Sequence, residues 1–200
     1  GNVNVVGRGK VILPSNYINA EYIESDGNAW IDSGFKPNQD TKIILDIDCP
    51  IDTGSTSKYI FGADAGSSSR GAFSLSTYIS NYQSYYNTSG ALSFVNNGVN
   101  RMLIVKDKQN TYCNGTLVVS AAYASFQSNY TAYIFCLNRA GNAYNATALK
   151  LYFCQIHDNG VFTKFFIPCM KNGVFGLYEM FEKVFYSSEG RSEFSGQLNQ

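Results

Sequence analysis

Two aspartates in the run Thr41–Asp48 have the spacing in this chain that comes nearest to a catalytic acid pair. Asp46 and Asp48 alternate along a predicted strand, so their side chains point to the same face. A retaining glycosidase needs two carboxyl groups about 5 Å apart. The next position on that face is Pro50 rather than a third acid. We therefore interpret the two aspartates as part of a solvated outer face.

The other candidates for catalysis are isolated residues. His157 is the single histidine and lies three residues after Cys154. Side chains three positions apart on a strand face opposite sides, which disfavours a Cys–His pair. Glu179 and Glu182 are interpreted as surface residues. The sequence therefore predicts a protein that is not an enzyme, with a glycoside hydrolase as the second alternative.

The sequence predicts no cofactor. The five cysteines include no C-x-x-C pair, and no glycine-rich phosphate loop leads from a strand into a helix. Calcium needs several oxygen ligands, and it remains an alternative with Asp64 and its Ser-rich loop, or Asp46 and Asp48, as ligands. The formal net charge is zero, which disfavours nucleic acid as a partner.

Tyrosines mixed with amide side chains are the strongest binding signal. Sugars present apolar C–H faces that stack on aromatic rings, while amides bind their hydroxyl groups. The alternative is that these tyrosines pack over sheet edges with wet hydroxyls. A second, weaker set consists of Tyr123, Tyr130, Tyr144 and Asn142. The predicted ligand-binding residues are Tyr78, Tyr82, Tyr85, Tyr86, Asn81 and Asn87, with Gln83 among them.

Short strands separated by turns must position these side chains. Thr41–Asp48 alternates with Ile43, Leu45 and Ile47 on one face. Asn114-Gly115 is the strongest two-residue hairpin signal. The run 20–34 predicts a hairpin with Asp26-Gly27 at its tip. About a dozen such strands predict an all-β fold, a two-sheet antiparallel β-sandwich with jelly-roll connections.

Length and composition agree with a single domain. The chain has 200 residues, and we predict a linker or edge strand over 1–19, with strand Lys10–Leu13, and one domain over 20–200. No apolar run reaches the roughly 20 residues of a membrane-spanning helix, so we predict no membrane insertion. The cysteines lie in apolar runs and are expected to be buried free thiols. Because residue 1 is Gly rather than Met, we expect Gly1 to be a tag remnant and the native protein to be longer or to have lost a leader.

A family resemblance covers about Glu21 to Gly196. The segments that carry it are Glu21–Gly27, Trp30–Gly34, Phe61–Ala63, Leu151–Phe153, Asp158–Gly160, Phe166–Cys169, Gly176–Tyr178 and Phe185–Tyr186. In these segments the chain resembles the concanavalin A-like lectin/glucanase superfamily, and within it the laminin-G-like modules of bacterial surface and phage proteins. The tail departs mildly from that pattern, with Tyr178-Glu179 in place of Tyr-Asp.

The resemblance implies a lectin-like sandwich and a partner at a surface. We expect a non-catalytic carbohydrate-binding module that binds a glycan or polysaccharide, located outside a bacterial cell, on its surface, or in a phage particle. The alternative is a structural or protein-binding adhesion module with no sugar site. An inference of function from fold alone is an analogy, so the site has to carry the argument.

Overall fold

The computed structural model describes residues 11–66, 70–88 and 90–200. Within them the chain forms strands only, joined by turns and extended loops. The strands are β1 (Tyr17–Asp26), β2 (Ile31–Asp32), β3 (Thr41–Asp48), β4 (Lys58–Asp64), β5 (Ala72–Tyr78), β6 (Asn81–Asn87), β7 (Leu92–Phe94), β8 (Arg101–Asp107), β9 (Asn110–Cys113), β10 (Thr116–Ser120), β11 (Tyr133–Ile134), β12 (Leu137–Arg139), β13 (Asn142–Tyr144), β14 (Ala148–Asp158), β15 (Val161–Lys171), β16 (Val174–Glu179), β17 (Val184–Tyr186) and β18 (Ser195–Leu198).

The strands form two sheets that pack face to face as a β-sandwich. The first sheet has the order β10-β9-β8-β3-β14-β1-β15-β16-β17, with β18 also paired to β1. The second has the order β13-β12-β4-β5-β6-β7, with β11 joining β2 to β4. Strand pairing is antiparallel except between β12 and β4. The predicted all-β, two-sheet antiparallel sandwich is confirmed.

The core lies between the two sheets and follows the alternation of each strand. Ile43, Leu45 and Ile47 of β3 are completely or almost completely buried, as the sequence predicts. From the second sheet, Phe61 of β4 and Phe73 of β5 pack against them in the same cluster. Side chains at alternate positions of a strand point to one face, so each strand of the sandwich gives one set to the core and one to the outside.

The run 20–34 is not a hairpin, which corrects the prediction. β1 pairs with β14, β15 and β18 in the first sheet, whereas β2 pairs with β11 in the second. Asp26-Gly27 is therefore a crossing point between the sheets, and Gly27 has a φ of 96° there. The Asp-Gly signal identifies a turn but does not determine which strand pairs with which.

Several tight turns are where the sequence places them. Asn114-Gly115 joins β9 to β10, and Asn159-Gly160 joins β14 to β15. All four of these residues have positive φ, as a type I′ turn requires. β5 and β6 are joined by Ile79-Ser80, also with positive φ. That hairpin lacks an Asn-Gly signal and is absent from the sequence prediction.

The N-terminal boundary differs from the predicted one. β1 begins at Tyr17, inside the predicted linker of 1–19. Val11 to Leu13 form no strand, and Lys10 lies outside the described residues. Residues Tyr17 to Asn19 pair with β15, which makes them part of the first sheet rather than of a linker.

Candidate functional site

β6 carries most of the residues that the sequence nominates for ligand binding, and its alternation divides them. Tyr82 and Tyr86 point into the core and are 0% and 2% exposed. The Tyr82 hydroxyl donates to the carbonyl of Cys49 at 2.7 Å, and the Tyr86 hydroxyl donates to the carbonyl of Gln39 at 3.1 Å. Burial also raises the pKa of Tyr86 to about 12. These two tyrosines cannot stack on a ligand, so their predicted role is wrong.

The remaining nominated residues point outward but do not lie together. Antiparallel pairing places Tyr85 opposite Ser74, and Tyr78 opposite Asn81, on the outer face of the second sheet. The Asn81 amide donates to the carbonyl of Ile79 at 3.0 Å, which makes it part of the hairpin turn. Asn81 and Asn87 are at opposite ends of β6, roughly 20 Å apart at about 3.3 Å per residue. Of the six nominated residues, Tyr85 is the one at the centre of this face.

Two other tyrosines join Tyr85 in a continuous patch. The ring of Tyr59, on β4, lies 6.3 Å from that of Tyr85 and 6.0 Å from that of Tyr144, on β13. Between Tyr59 and Tyr85, β5 presents the small side chains of Ser74 and Ser76 toward this face, so the two rings can meet across it. Tyr59 is almost completely buried, whereas 37% of Tyr144 is exposed.

An arginine completes the patch. The Arg139 guanidinium carbon lies 3.8 Å from the centre of the Tyr144 ring. Its Nη2 donates to the Tyr59 hydroxyl at 3.3 Å and lies 3.5 Å from a carboxylate oxygen of Asp64. One third of the Arg139 side chain is exposed, and Asp64 is buried beneath it. We call Tyr59, Tyr85, Tyr144, Arg139 and Asp64 the tyrosine–arginine face.

Charge and hydrogen bonding order this face. Burial opposes the charge of Arg139, but the Asp64 carboxylate, Tyr59 and Tyr144 together outweigh it, so the pKa of the guanidinium is raised. Burial, reinforced by Tyr85, raises the pKa of the Tyr59 hydroxyl. The Tyr85 hydroxyl donates to Oε1 of Gln83 at 3.0 Å, and this buried amide fixes its direction. The face thus combines phenol rings with a positively charged guanidinium.

A cleft of about 580 Å³ lies beside this face. It contains the nominated residue Asn87, whose amide oxygen accepts a hydrogen bond from the Gly71 backbone at 3.2 Å. Its walls combine polar side chains with the ring of Phe126 and the methyl group of Ala65. The lining residues are Ala65, Arg70, Gly71, Asn87, Thr88 and the segment Ser125–Asn129.

The second set of nominated tyrosines is also divided by the fold. Tyr144 belongs to the tyrosine–arginine face, whereas Tyr123 is exposed elsewhere and donates its hydroxyl to Asp40 at 3.2 Å. Tyr130 packs partly buried against the core. Asn142 lies exposed on β13, two positions from Tyr144.

The acidic residues have structural roles. Asp46 accepts two hydrogen bonds from Arg101, at 2.7 and 3.0 Å, on the outer face of the first sheet. Glu179 is completely buried and not a surface residue, which corrects the prediction. Its carboxylate accepts the backbone N–H of Phe165 on β15 and those of Phe181 and Glu182 in the turn before β17. Glu182 is the exposed member of the two.

His157 lies on the first sheet, as do the candidate metal ligands Asp46 and Asp48, whereas the candidate ligand Asp64 belongs to the tyrosine–arginine face. The His157 ring stacks on Phe162 at 4.7 Å, on the first sheet. Its partial burial lowers the pKa of the imidazole. In the described part of the chain, no three His, Cys, Asp or Glu side chains come together in a way that could hold a metal ion.

Sequence reasoning missed Tyr59 and Arg139. These residues are separated from Tyr85 by 26 and 54 positions in the sequence, and neither lies in a tyrosine-rich run. The alternation of β6 was the available signal: Tyr82, Ser84 and Tyr86 share one face, and Tyr85 lies on the other.

No protein-family model matches the chain, and no curated protein is significantly similar to it in sequence. Within the described residues, no helix has the length and apolar character needed to cross a bilayer.

Proposed function

We propose that this protein is a non-catalytic carbohydrate-binding module and that the tyrosine–arginine face is its binding surface. The observation that carries the proposal is the patch of three tyrosines at about 6 Å spacing, with a guanidinium stacked on one ring. Exposed parts of Tyr85 and Tyr144 offer flat apolar surface for the C–H face of a sugar ring. Arg139 supplies donors for sugar oxygens beside them.

The architecture supports the same proposal. The site lies on regular strands, and Gln83 and Asp64 hold its side chains from below, so little ordering is needed when a ligand binds. We propose a concanavalin A-like, laminin-G-like module with jelly-roll connections, on the basis of the sequence resemblance. A location outside or on the surface of a bacterial cell, or in a phage particle, belongs to that proposal.

Hydrolysis has less support than binding. The acid pair nominated from the sequence includes Asp46, which a two-point hydrogen bond ties to Arg101. A catalytic acid must be free to exchange its proton with the glycosidic oxygen. We therefore propose that the module binds its glycan without cleaving it.

A structural or protein-binding module is the second candidate, and one observation favours it. The outer face of the first sheet carries a cluster of aromatic rings, in which Phe162 contacts Phe165 at 5.6 Å and Phe181 at 5.1 Å. Half of the Phe181 side chain is exposed. An apolar surface of this kind is typical of protein–protein contacts.

A glycan array with the purified protein tests the first proposal. Selective binding that is lost in Tyr85→Ala and retained in Tyr123→Ala would support it, since Tyr123 is an exposed tyrosine outside the face. Running the array with calcium and with a chelator would show whether binding depends on the metal. An array that is blank for bacterial and host polysaccharides would favour the protein-binding module instead.

A further inference from the structure

We propose that the tyrosine–arginine face selects glycans that carry a carboxylate, and that Arg139 is the residue that binds this group. The inference rests on the proposed carbohydrate-binding function and names the class of sugar. Uronic acids and sialic acids both supply the required chemistry, a planar carboxylate attached to a sugar ring.

The hydrogen bonding of Arg139 is incomplete. A guanidinium carries five N–H donors, and the contacts of Arg139 with described residues use Nη2 alone. Those contacts are long, at 3.3 Å to Tyr59 and 3.5 Å to Asp64, whereas a charged pair at its best distance is nearer 2.8 Å. The Nε–H is buried without a hydrogen-bond acceptor among the described residues. A ligand cannot reach the buried Nε–H, so the donors left for another partner are those of Nη1.

Asp64 leaves the positively charged group of Arg139 accessible to a ligand. Its other carboxylate oxygen accepts the backbone N–H of Gly66 at 2.9 Å, which holds the carboxylate in the loop after β4. The side chain of Asp64 is 7% exposed and that of Arg139 is 33% exposed. The positive group is therefore the one that solvent and ligands reach, and the negative group lies below it.

The stacking geometry favours a carboxylate over a hydroxyl as the partner. The guanidinium carbon of Arg139 lies over the Tyr144 ring, 3.8 Å from its centre. With Nε buried, the edge formed by Nη1 and Nη2 is the one that can present two parallel N–H groups to the two oxygens of a carboxylate. Tyr144 and Tyr85 flank this position on the same face and would hold the sugar ring that bears the carboxylate.

Binding of polygalacturonate and of its fully methyl-esterified form tests the inference directly, because the two polymers share one backbone and differ in the carboxylate. Colominic acid, a polysialic acid, is the arm that separates sialic from uronic acids. We expect the wild-type protein to bind at least one acidic polymer about tenfold or more tightly than the esterified one. Arg139→Gln should abolish this preference.

A second arginine in the chain provides a matched control. Arg101 is also paired with an aspartate and stacked on a tyrosine, Tyr152, at 3.2 Å, but it lies on the first sheet. Arg101→Gln should therefore leave the preference for the acidic polymer unchanged. Arg139→Lys retains the charge without the planar fork, and it should recover only a small part of the preference. It also serves as the test if Arg139→Gln does not fold.

The outcomes separate this inference from the proposed function. Equal binding of both polymers, lost in Tyr85→Ala but not in Arg139→Gln, would overturn carboxylate selection and leave the carbohydrate-binding function standing. Acidic binding that survives both Arg139 variants and disappears in high salt would identify nonspecific attraction, and it would also overturn the inference. Binding to no polymer here and to no glycan on the array would overturn both.

Discussion

At the scale of single residues, Lys106 is the most unusual group in the core. The side chain is completely buried between the sheets. Its amine donates to the Ser84 hydroxyl at 2.9 Å and lies 4.6 Å from the centre of the Phe73 ring. It has no carboxylate partner among the described residues. Burial lowers the pKa of this amine from 10.5 to about 7, since the apolar interior disfavours the charge.

The low pKa of Lys106 makes stability depend on pH. Above pH 7 the folded protein holds this amine neutral, while the unfolded chain still binds the proton up to about pH 10.5. The free energy of unfolding therefore rises with pH between about 7 and 10.5. Below about pH 6 the amine is protonated in both states, and this gain in stability is lost completely. We expect the contribution of Lys106 to the free energy of unfolding to rise by about 1 kcal/mol between pH 6 and pH 8.

Lys106→Met isolates this effect, because methionine has a similar length and no charge. The variant should be more stable than the wild type, and its advantage should be larger at pH 6 than at pH 8. Urea unfolding at both pH values measures the difference, in which contributions from His157 and the cysteines cancel. Lys36→Met, at an exposed lysine, is the control. If the gain in stability of Lys106→Met were the same at both pH values, the lowered pKa of Lys106 in the folded protein would be wrong.

Neighbouring tyrosines on β6 should respond to truncation in opposite ways. Tyr82→Ala removes a fully buried ring, and we expect a loss of about 3–5 kcal/mol in the free energy of unfolding. Tyr85→Ala removes a partly exposed ring from the outer face and should cost about 1 kcal/mol or less. Denaturant unfolding of the two variants under one condition provides the comparison. Similar losses in both would mean that the inward and outward faces of β6 are wrongly assigned.

At the scale of elements, β16 shows how a glycine permits close strand packing. A Cβ atom at Gly176 would lie 2.3 Å from the carbonyl oxygen of Tyr186 and 2.7 Å from the ring of Phe185. Both neighbours belong to β17, so any side chain here pushes this edge strand away. Gly176→Val should therefore destabilise the protein by several kcal/mol, of the order seen for overpacked cores. Thermal unfolding of the soluble fraction measures the loss.

The control for Gly176 is a glycine without neighbours. Gly90 has no atom within 4 Å of the position of a Cβ, and its φ is not in the positive range. Gly90→Ala should leave the melting temperature nearly unchanged. If Gly176→Val melted at the wild-type temperature, the close approach of β16 and β17 described here would be incorrect.

The elements also show what the sequence can and cannot predict. Thr41–Asp48 is predicted to its ends, because its alternation is a local property of one strand. The false hairpin over 20–34 arose because the choice of sheet depends on partners far along the chain, such as β14 and β11. Most of the tyrosine–arginine face was missed for the same reason, because it depends on which strands pair. Tyr85 was nominated from its neighbours, whereas Tyr59 and Arg139 reach it only through the pairing of β4, β5, β6 and β12.

At the scale of the whole molecule, the two outer surfaces of the sandwich differ in chemistry. The second sheet presents the tyrosine–arginine face, which combines hydroxyl, amide and guanidinium groups with rings. The first sheet presents a cluster of phenylalanines in edge-to-face and tilted contact, beside the Arg101–Asp46 pair. Because the two faces point away from each other, the proposed glycan site on one would leave the other free for the contact proposed as the second candidate function.

The cysteines report on the integrity of the whole sandwich. All five are free and buried, as the sequence predicts. Burial raises the pKa of the Cys49 thiol to about 12 and that of Cys136 to about 11. Only a thiolate reacts with a disulfide reagent, so a folded molecule protects its cysteines both by excluding the reagent and by keeping them protonated. They lie on strands and loops of both sheets, and exposing all of them requires the sheets to separate.

We therefore expect the five thiols to react with Ellman's reagent as one cooperative group. Reaction should be negligible in native buffer and should rise along the same denaturant curve as the loss of β-sheet circular dichroism. Cys113 is the thiol that could react before the others, because it ends β9 near the edge of the first sheet and is 5% exposed. One fast thiol that disappears in Cys113→Ala would show that β9 and β10 open locally while the rest stays folded. Fast reaction of several thiols in native buffer would contradict the close packing of the two sheets.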